Sequence, residues 1–135
     1  MHDFIDVITS NKFNSQEEFD AFHRLKTIEL CELNSPGYKL TIGQAQKWIN
    51  MTLKNLLILG DKRISQITLN YKYFHIPIDN IIQDRFQISP YFLRKRFPVW
   101  SQIPDYENYL EYQKEVRKTF KNEIPIEVEL AIFNK

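Results

Sequence analysis

The stretch between Thr41 and Gly60 constrains this chain more than any other. Ile42, Ala45, Ile49, Leu53, Leu56 and Leu57 recur at steps of three and four, with Trp48 and Met51 beside them. That period stacks side chains on one face of a helix, whereas a strand would alternate them. The stripe is wide, which predicts a central, mostly buried helix over Ile42–Leu59 with Gly60 as its C-cap. A buried helix must be covered, and helices before and after it are the natural cover.

The flanking sequence supplies them. Asp3, Phe4, Ile5, Val7 and Ile8 have helical spacing, so a short first helix is expected over residues 3–10. Ser15-Gln16-Glu17-Glu18 is a capping box, in which Ser15 accepts from the amide three residues on and Glu18 reaches back to the Ser15 amide. Phe19, Phe22, Leu25 and Ile28 then carry a second helix to about Leu33, where Asn34-Ser35-Pro36-Gly37 ends it. Residues 61–74 are ambiguous. Ile67, Leu69, Tyr71 and Tyr73 alternate like a strand, while a helix or an irregular loop also fits.

Pro77 cannot continue a helix, and Asp79 is placed to cap one that starts at Asn80. A long helix is expected from about Asp105 to Lys121, with Tyr106, Tyr109, Leu110, Val116 and Phe120 on its apolar face. In the tail, Ile126, Val128 and Leu130 alternate with Glu127 and Glu129 as in a strand. Pro125 at a first helical turn favours a short helix instead. The reading is one all-α domain over 1–135, of five or six helices, with room for one short β element.

Composition bounds the function. The 135 residues suit a single domain. A net charge of +1 excludes a uniformly basic nucleic-acid binder but leaves room for a local basic patch. One cysteine, Cys31, rules out an internal disulfide framework and points to a reducing compartment. No apolar run is long enough to cross a membrane, and the start lacks the basic and apolar regions of a signal peptide, so a cytoplasmic protein is expected. His2, His23, His75 and Cys31 share no ligand spacing, so no metal and no cofactor is expected. Cys31 is expected to be a small core residue.

Two segments carry candidate chemistry. In Gly43-Gln44-Ala45-Gln46-Lys47-Trp48-Ile49-Asn50-Met51, Lys47 is either a solvated cation or a partly desolvated amine able to act as a nucleophile. Gln46 and Asn50 would cap neighbouring backbone. In His75-Ile76-Pro77-Ile78-Asp79, Asp79 is either a plain N-cap or a fixed carboxylate facing a cleft, and His75 is expected to be packed.

A third segment, Tyr91-Phe92-Leu93-Arg94-Lys95-Arg96-Phe97, is the candidate nucleic-acid contact. Arg94, Lys95 and Arg96 can neutralise phosphates, and Tyr91 or Phe97 can stack on an unpaired base. Glu107, Glu111 and Glu115 step by four along the long helix, the pattern of a solvated acidic face.

A lysine early in a central helix, followed by a loop whose Pro-x-Asp opens the next helix, resembles the layout of the helix-hairpin-helix DNA glycosylases. The likeness spans about residues 40–85, and the Lys47-to-Asp79 spacing looks most like the archaeal branch that acts on oxidised guanine. It implies that Lys47 forms a Schiff base with a sugar and that Asp79 stabilises the cationic transition state, Pro77 being the family's preceding proline. Over most of its length, the chain also resembles a family of short uncharacterised bacterial and phage proteins. The residues that carry this likeness are Gln46-Lys47-Trp48-Ile49-Asn50-Met51, His75-Ile76-Pro77-Ile78-Asp79 and the pattern Trp100-Ser101…Asp105-Tyr106…Tyr109-Leu110…Tyr112-Gln113. It implies no activity. Two functions follow as expectations: a small interaction protein of phage or mobile-element type, and a DNA-binding lyase or its inactive relative. A protein partner and DNA are the partner classes left open.

Overall fold

The computed structural model describes residues 2–33, 39–87, 93 and 95–133. Among them are six α-helices and no strand: α1 (His2–Ser10), α2 (Gln16–Glu32), α3 (Ile42–Leu59), α4 (Asn80–Phe86), α5 (Tyr106–Thr119) and α6 (Pro125–Phe133). The fold is all-α. Single helical turns lie at Ile67–Leu69, Tyr71–Tyr73 and Trp100–Gln102.

The local signals in the sequence account for the helix ends. Thr41 accepts from the Gln44 amide at 3.1 Å, and the Gln44 side chain accepts from the Thr41 amide at 3.0 Å, so α3 begins in a full capping box. It stops at Gly60, whose φ of 80° suits a residue without Cβ. Ser15 caps α2 as expected, but Glu18 reaches one residue further than expected and accepts from the Asn14 amide at 3.2 Å. The expected end of that helix at Asn34–Gly37 lies outside the described residues.

Residues 61–74 form no strand. Asn70 fastens them to the end of α1, accepting from the Phe13 amide and donating to the carbonyls of Ile8 and Asn11, and no neighbouring sheet edge offers a ladder. The tail is a helix. Its alternation of apolar and acidic residues misleads because Glu129 turns inward, where it pairs with Lys54 of α3 at 2.8 Å.

Two apolar clusters form the interior. One gathers Phe4, Phe13, Phe19, Ile49, Leu53, Phe74 and Ile126. The other gathers Ile78, Ile82, Phe86, Tyr109, Tyr112 and Val116. The expected face of α2 needs correction: Phe19 is buried, yet Leu25 is 54 % exposed. The side chains that α2 buries with Phe19 are polar, namely Asp20, His23 and Thr27. α3 is central and mostly covered, while its outer side leaves Trp48 65 % exposed and Ile58 61 % exposed. Cys31 is only partly buried, and packs against the second cluster.

Residues 74–78 run extended through the middle and are all buried. An extended buried segment needs ladder partners for its peptide groups, and two glutamines supply them. Gln113 of α5 accepts from the Ile76 amide at 3.1 Å and donates to the Ile76 carbonyl at 2.8 Å. Gln46 of α3 does the same for Ile78, at 3.1 and 2.8 Å. Each side-chain amide takes the place of a neighbouring strand's peptide. Pro77, between them, has no N–H to satisfy.

Candidate functional site

Polar chemistry gathers in two places, one sealed and one open. In the sealed place, the rings of His23 and His75 lie with centroids 4.0 Å apart. Phe19 packs beside both rings, and Tyr109 borders them on another side. Tyr106 meets His23 Nδ1 at 2.7 Å, and His23 Nε2 meets Asn50 Oδ1 at 2.8 Å. Asn50 Nδ2 donates to the Tyr109 hydroxyl at 2.9 Å. Tyr109 meets His75 Nδ1 at 2.6 Å, and His75 Nε2 meets Asp20 Oδ1 at 2.6 Å. Arg117 closes the series on Asp20 Oδ2 at 2.9 Å.

One assignment of protons satisfies every link. Tyr106 donates to His23, His23 to Asn50, Asn50 to Tyr109, Tyr109 to His75 and His75 to the Asp20 carboxylate, with both imidazoles neutral and protonated on Nε2. The titration behaviour agrees. Burial pushes both histidines below their usual range, and the Asp20 hydrogen bond only partly offsets this for His75. Burial would raise Asp20, but the His75 contacts, Arg117 and Gln16 together bring it down to about 2. Burial also raises the phenols of Tyr106 and Tyr109, so both stay protonated. Each of these imidazoles and phenols is at most 2 % exposed, so no substrate reaches them. The chain from Tyr106 to Asp20 is satisfied link by link, while Arg117 Nη2 has no partner among the described residues, and the network fixes how α2, α3, α5 and the extended segment pack.

The open place is a groove of about 440 Å³ between the outer side of α3 and Trp100. Leu40, Trp48 and Met51 give it apolar walls, and Lys47, Thr52 and Asn55 give it polar ones. Its end wall depends on a close approach. Gly43 sits so near the Trp100 carbonyl that an added Cβ would lie 1.9 Å from that oxygen, and its amide donates to Ile103 at 3.3 Å. Thr41 also donates to the Ser101 carbonyl.

Lys47 and Asp79 meet at the rim. The ammonium lies 3.2 Å from Asp79 Oδ2 and 4.7 Å from the centre of the Trp100 ring. The other Asp79 oxygen accepts from the Ile82 amide at 2.9 Å and caps α4. A carboxylate so engaged fixes the lysine beside the groove, and the indole face adds a cation–π contact. The pair is partly solvated, with side chains 36 % and 15 % exposed.

Of the basic segment, Lys95, Arg96 and Phe97 do not line the groove. Tyr91 and Arg94 lie outside the described residues. Arg96 pairs with Asp84 at 2.7 Å and donates to Gln87 at 3.0 Å. Lys95 lies over the Phe97 ring, and Phe97 packs against Tyr112. In the acidic row, Glu107 pairs with Arg24, and Glu115 accepts from the Lys95 amide.

Among the described residues, no group of three or more His, Cys, Asp or Glu could hold a metal, and no helix is long and apolar enough to cross a membrane. Comparison with family models, curated proteins and solved structures finds no match.

The sequence reading placed Gln46 and Asn50 as backbone caps and His75 as packed, but it missed Asp20, His23 and Arg117 as one network and Gln113 as a ladder partner of Ile76. A signal was present. Phe19, His23 and Thr27 step by four, so polar residues fall on the side of α2 that a buried aromatic marks.

Proposed function

We propose that this chain is an interaction protein that offers the outer face of α3 and the adjoining groove to a partner, and that it performs no chemistry of its own. One observation carries this reading: Trp48 is 65 % exposed at an apolar groove, while the histidines and tyrosines of the network are sealed inside. An exposed indole beside a second indole is the kind of anchor that dominates binding energy when a partner covers it. A single cysteine fits action in the reducing cytoplasm.

The test is a photo-crosslinker. Benzoylphenylalanine replacing Thr52 at the groove is expected to give discrete adducts in cells. The same replacement at Lys72, an exposed site away from the groove, is expected to give none. Equal labelling from both positions, or none from Thr52, would count against the reading.

A second reading rests on the Lys47–Asp79 contact at the groove rim. In a glycosylase-like lyase, Lys47 would attack the sugar carbon, Asp79 would stabilise the cation, and Arg94, Lys95 and Arg96 would hold phosphates. Borohydride reduction in the presence of abasic DNA decides it. A covalent complex lost in Lys47→Ala supports the lyase, and its absence leaves the interaction reading alone.

A further inference from the structure

We infer that the surface partner of α3 is a second copy of this chain, packed antiparallel about a two-fold axis. The inference rests on the interaction reading above. Its first support is charge. From Trp48 to Leu59 the helix has one charged residue, Lys54, and that side chain is buried against Glu129. The one cation at its edge, Lys47, is already paired with Asp79, so the face offers an acidic or basic partner little to recognise and suits a second face like itself.

The second support is spacing. Trp48, Met51, Asn55 and Ile58 follow the three- and four-residue steps of a coiled-coil seam, with Thr52 and Leu59 flanking them. At 100° per residue these six positions share about one third of the helix circumference, opposite the buried side that bears Ile49, Asn50 and Leu53. The helix therefore has two working faces. One builds the core, and the other is uncovered among the described residues.

The third support is that the two halves of the uncovered face complement each other. Its first half is the groove between Trp48 and Trp100. Its second half ends in Ile58 and Leu59, 61 % and 47 % exposed. Antiparallel pairing lays the Ile58–Leu59 end of each copy against the Trp48 groove of the other, so the apolar contact forms twice. The same register sets Thr52 opposite Asn55. The Thr52 hydroxyl already donates to the Trp48 carbonyl at 2.7 Å, so its oxygen remains to accept from the Asn55 amide of the second copy. A polar residue at such a seam selects one register.

Light scattering of the purified full chain at rising concentration tests this. The seam is small, so association is expected over about 5 to 500 µM, near the weak end for protein interfaces. The wild-type mass should climb from 16.3 kDa towards twice that value. Trp48→Lys and Ile58→Glu should each stay at the mass of one chain, with unchanged circular dichroism because both sites are solvated. Mixed in equal amounts, the two variants should regain the double mass, since a heterodimer has one Lys–Glu contact and one native contact. Asn55→Lys is a further single variant expected to remain monomeric.

A wild type that keeps the mass of one chain throughout overturns the inference. So does a mixture that fails to recover, or a variant that dimerises like the wild type. In any of those cases, Thr52 adducts with a mass other than two chains would keep the broader interaction reading. Absence of any adduct would remove both.

Discussion

Two asparagines on α3, Asn50 and Asn55, have the same side chain in opposite settings. Asn50 is fully buried and links His23, Tyr109, Gln46 and the Ile76 carbonyl. Asn55 lines the open groove, with no side-chain hydrogen bond among the described residues. The first shows how a polar interior specifies packing: every amide atom has a partner, and removing it would strand several others. The second shows a helix surface prepared for contact with something outside. One helix thus separates a structural role from a binding role by which way its residues point.

The sharpest way to break this contrast is to truncate each asparagine. Asn50→Ala leaves an imidazole and a phenol short of partners in a sealed site, so it is expected to destabilise the fold by about 3–4 kcal/mol. Asn55→Ala should change stability by less than about 0.5 kcal/mol. Urea denaturation of the monomer measures both. Equal losses would erase the distinction between the two faces.

Acid should act on the inner face. His23 and His75 are neutral in the fold, with affinities for protons below the 6.5 of the unfolded chain. The unfolded state therefore binds more protons as the pH drops below about 6.5. Stability present above that pH should fall by up to about 2.7 kcal/mol per unit if both rings titrate only in the unfolded state. Asp20, brought down to about 2 from 3.8, extends the loss below pH 4. Denaturation midpoints between pH 8 and pH 4 check this, and His75→Gln should remove about one proton's share of the slope.

Gly43→Ala sharpens the link between the faces. The new methyl would collide with the Trp100 carbonyl, so α3 and the turn at Trp100–Gln102 must separate. A loss of about 1–3 kcal/mol is expected, together with weaker binding at the groove. A small effect also belongs to the rim. Lys47→Met removes a partly solvated ion pair and should cost no more than about 1 kcal/mol by the same denaturation assay.

The features most legible in the sequence were those that rest on local rules. The period from Ile42 to Leu57 and the cap residues Ser15 and Asp79 act within a turn or two of the chain, and α2, α3 and α4 follow them. What stayed hidden depends on partners far away in order. Glu129 turns inward because Lys54 meets it across a separation of 75 residues. The extended segment is stable because Gln46 and Gln113 ladder it from two different helices. The pairing of Lys47 with Asp79 was legible only through the resemblance to the glycosylase layout. No periodicity distinguishes the exposed indole of Trp48 from a core one, since the wide stripe of α3 holds both faces.

The most direct measurement uses the two indoles the chain possesses, Trp48 and Trp100, both at the groove. In a proton–nitrogen NMR concentration series, both indole N–H signals should shift as the protein is concentrated, while the imidazole signals of His23 and His75 stay fixed. Indole signals that hold still while the imidazoles move would contradict the division between a sealed scaffold and an open contact face.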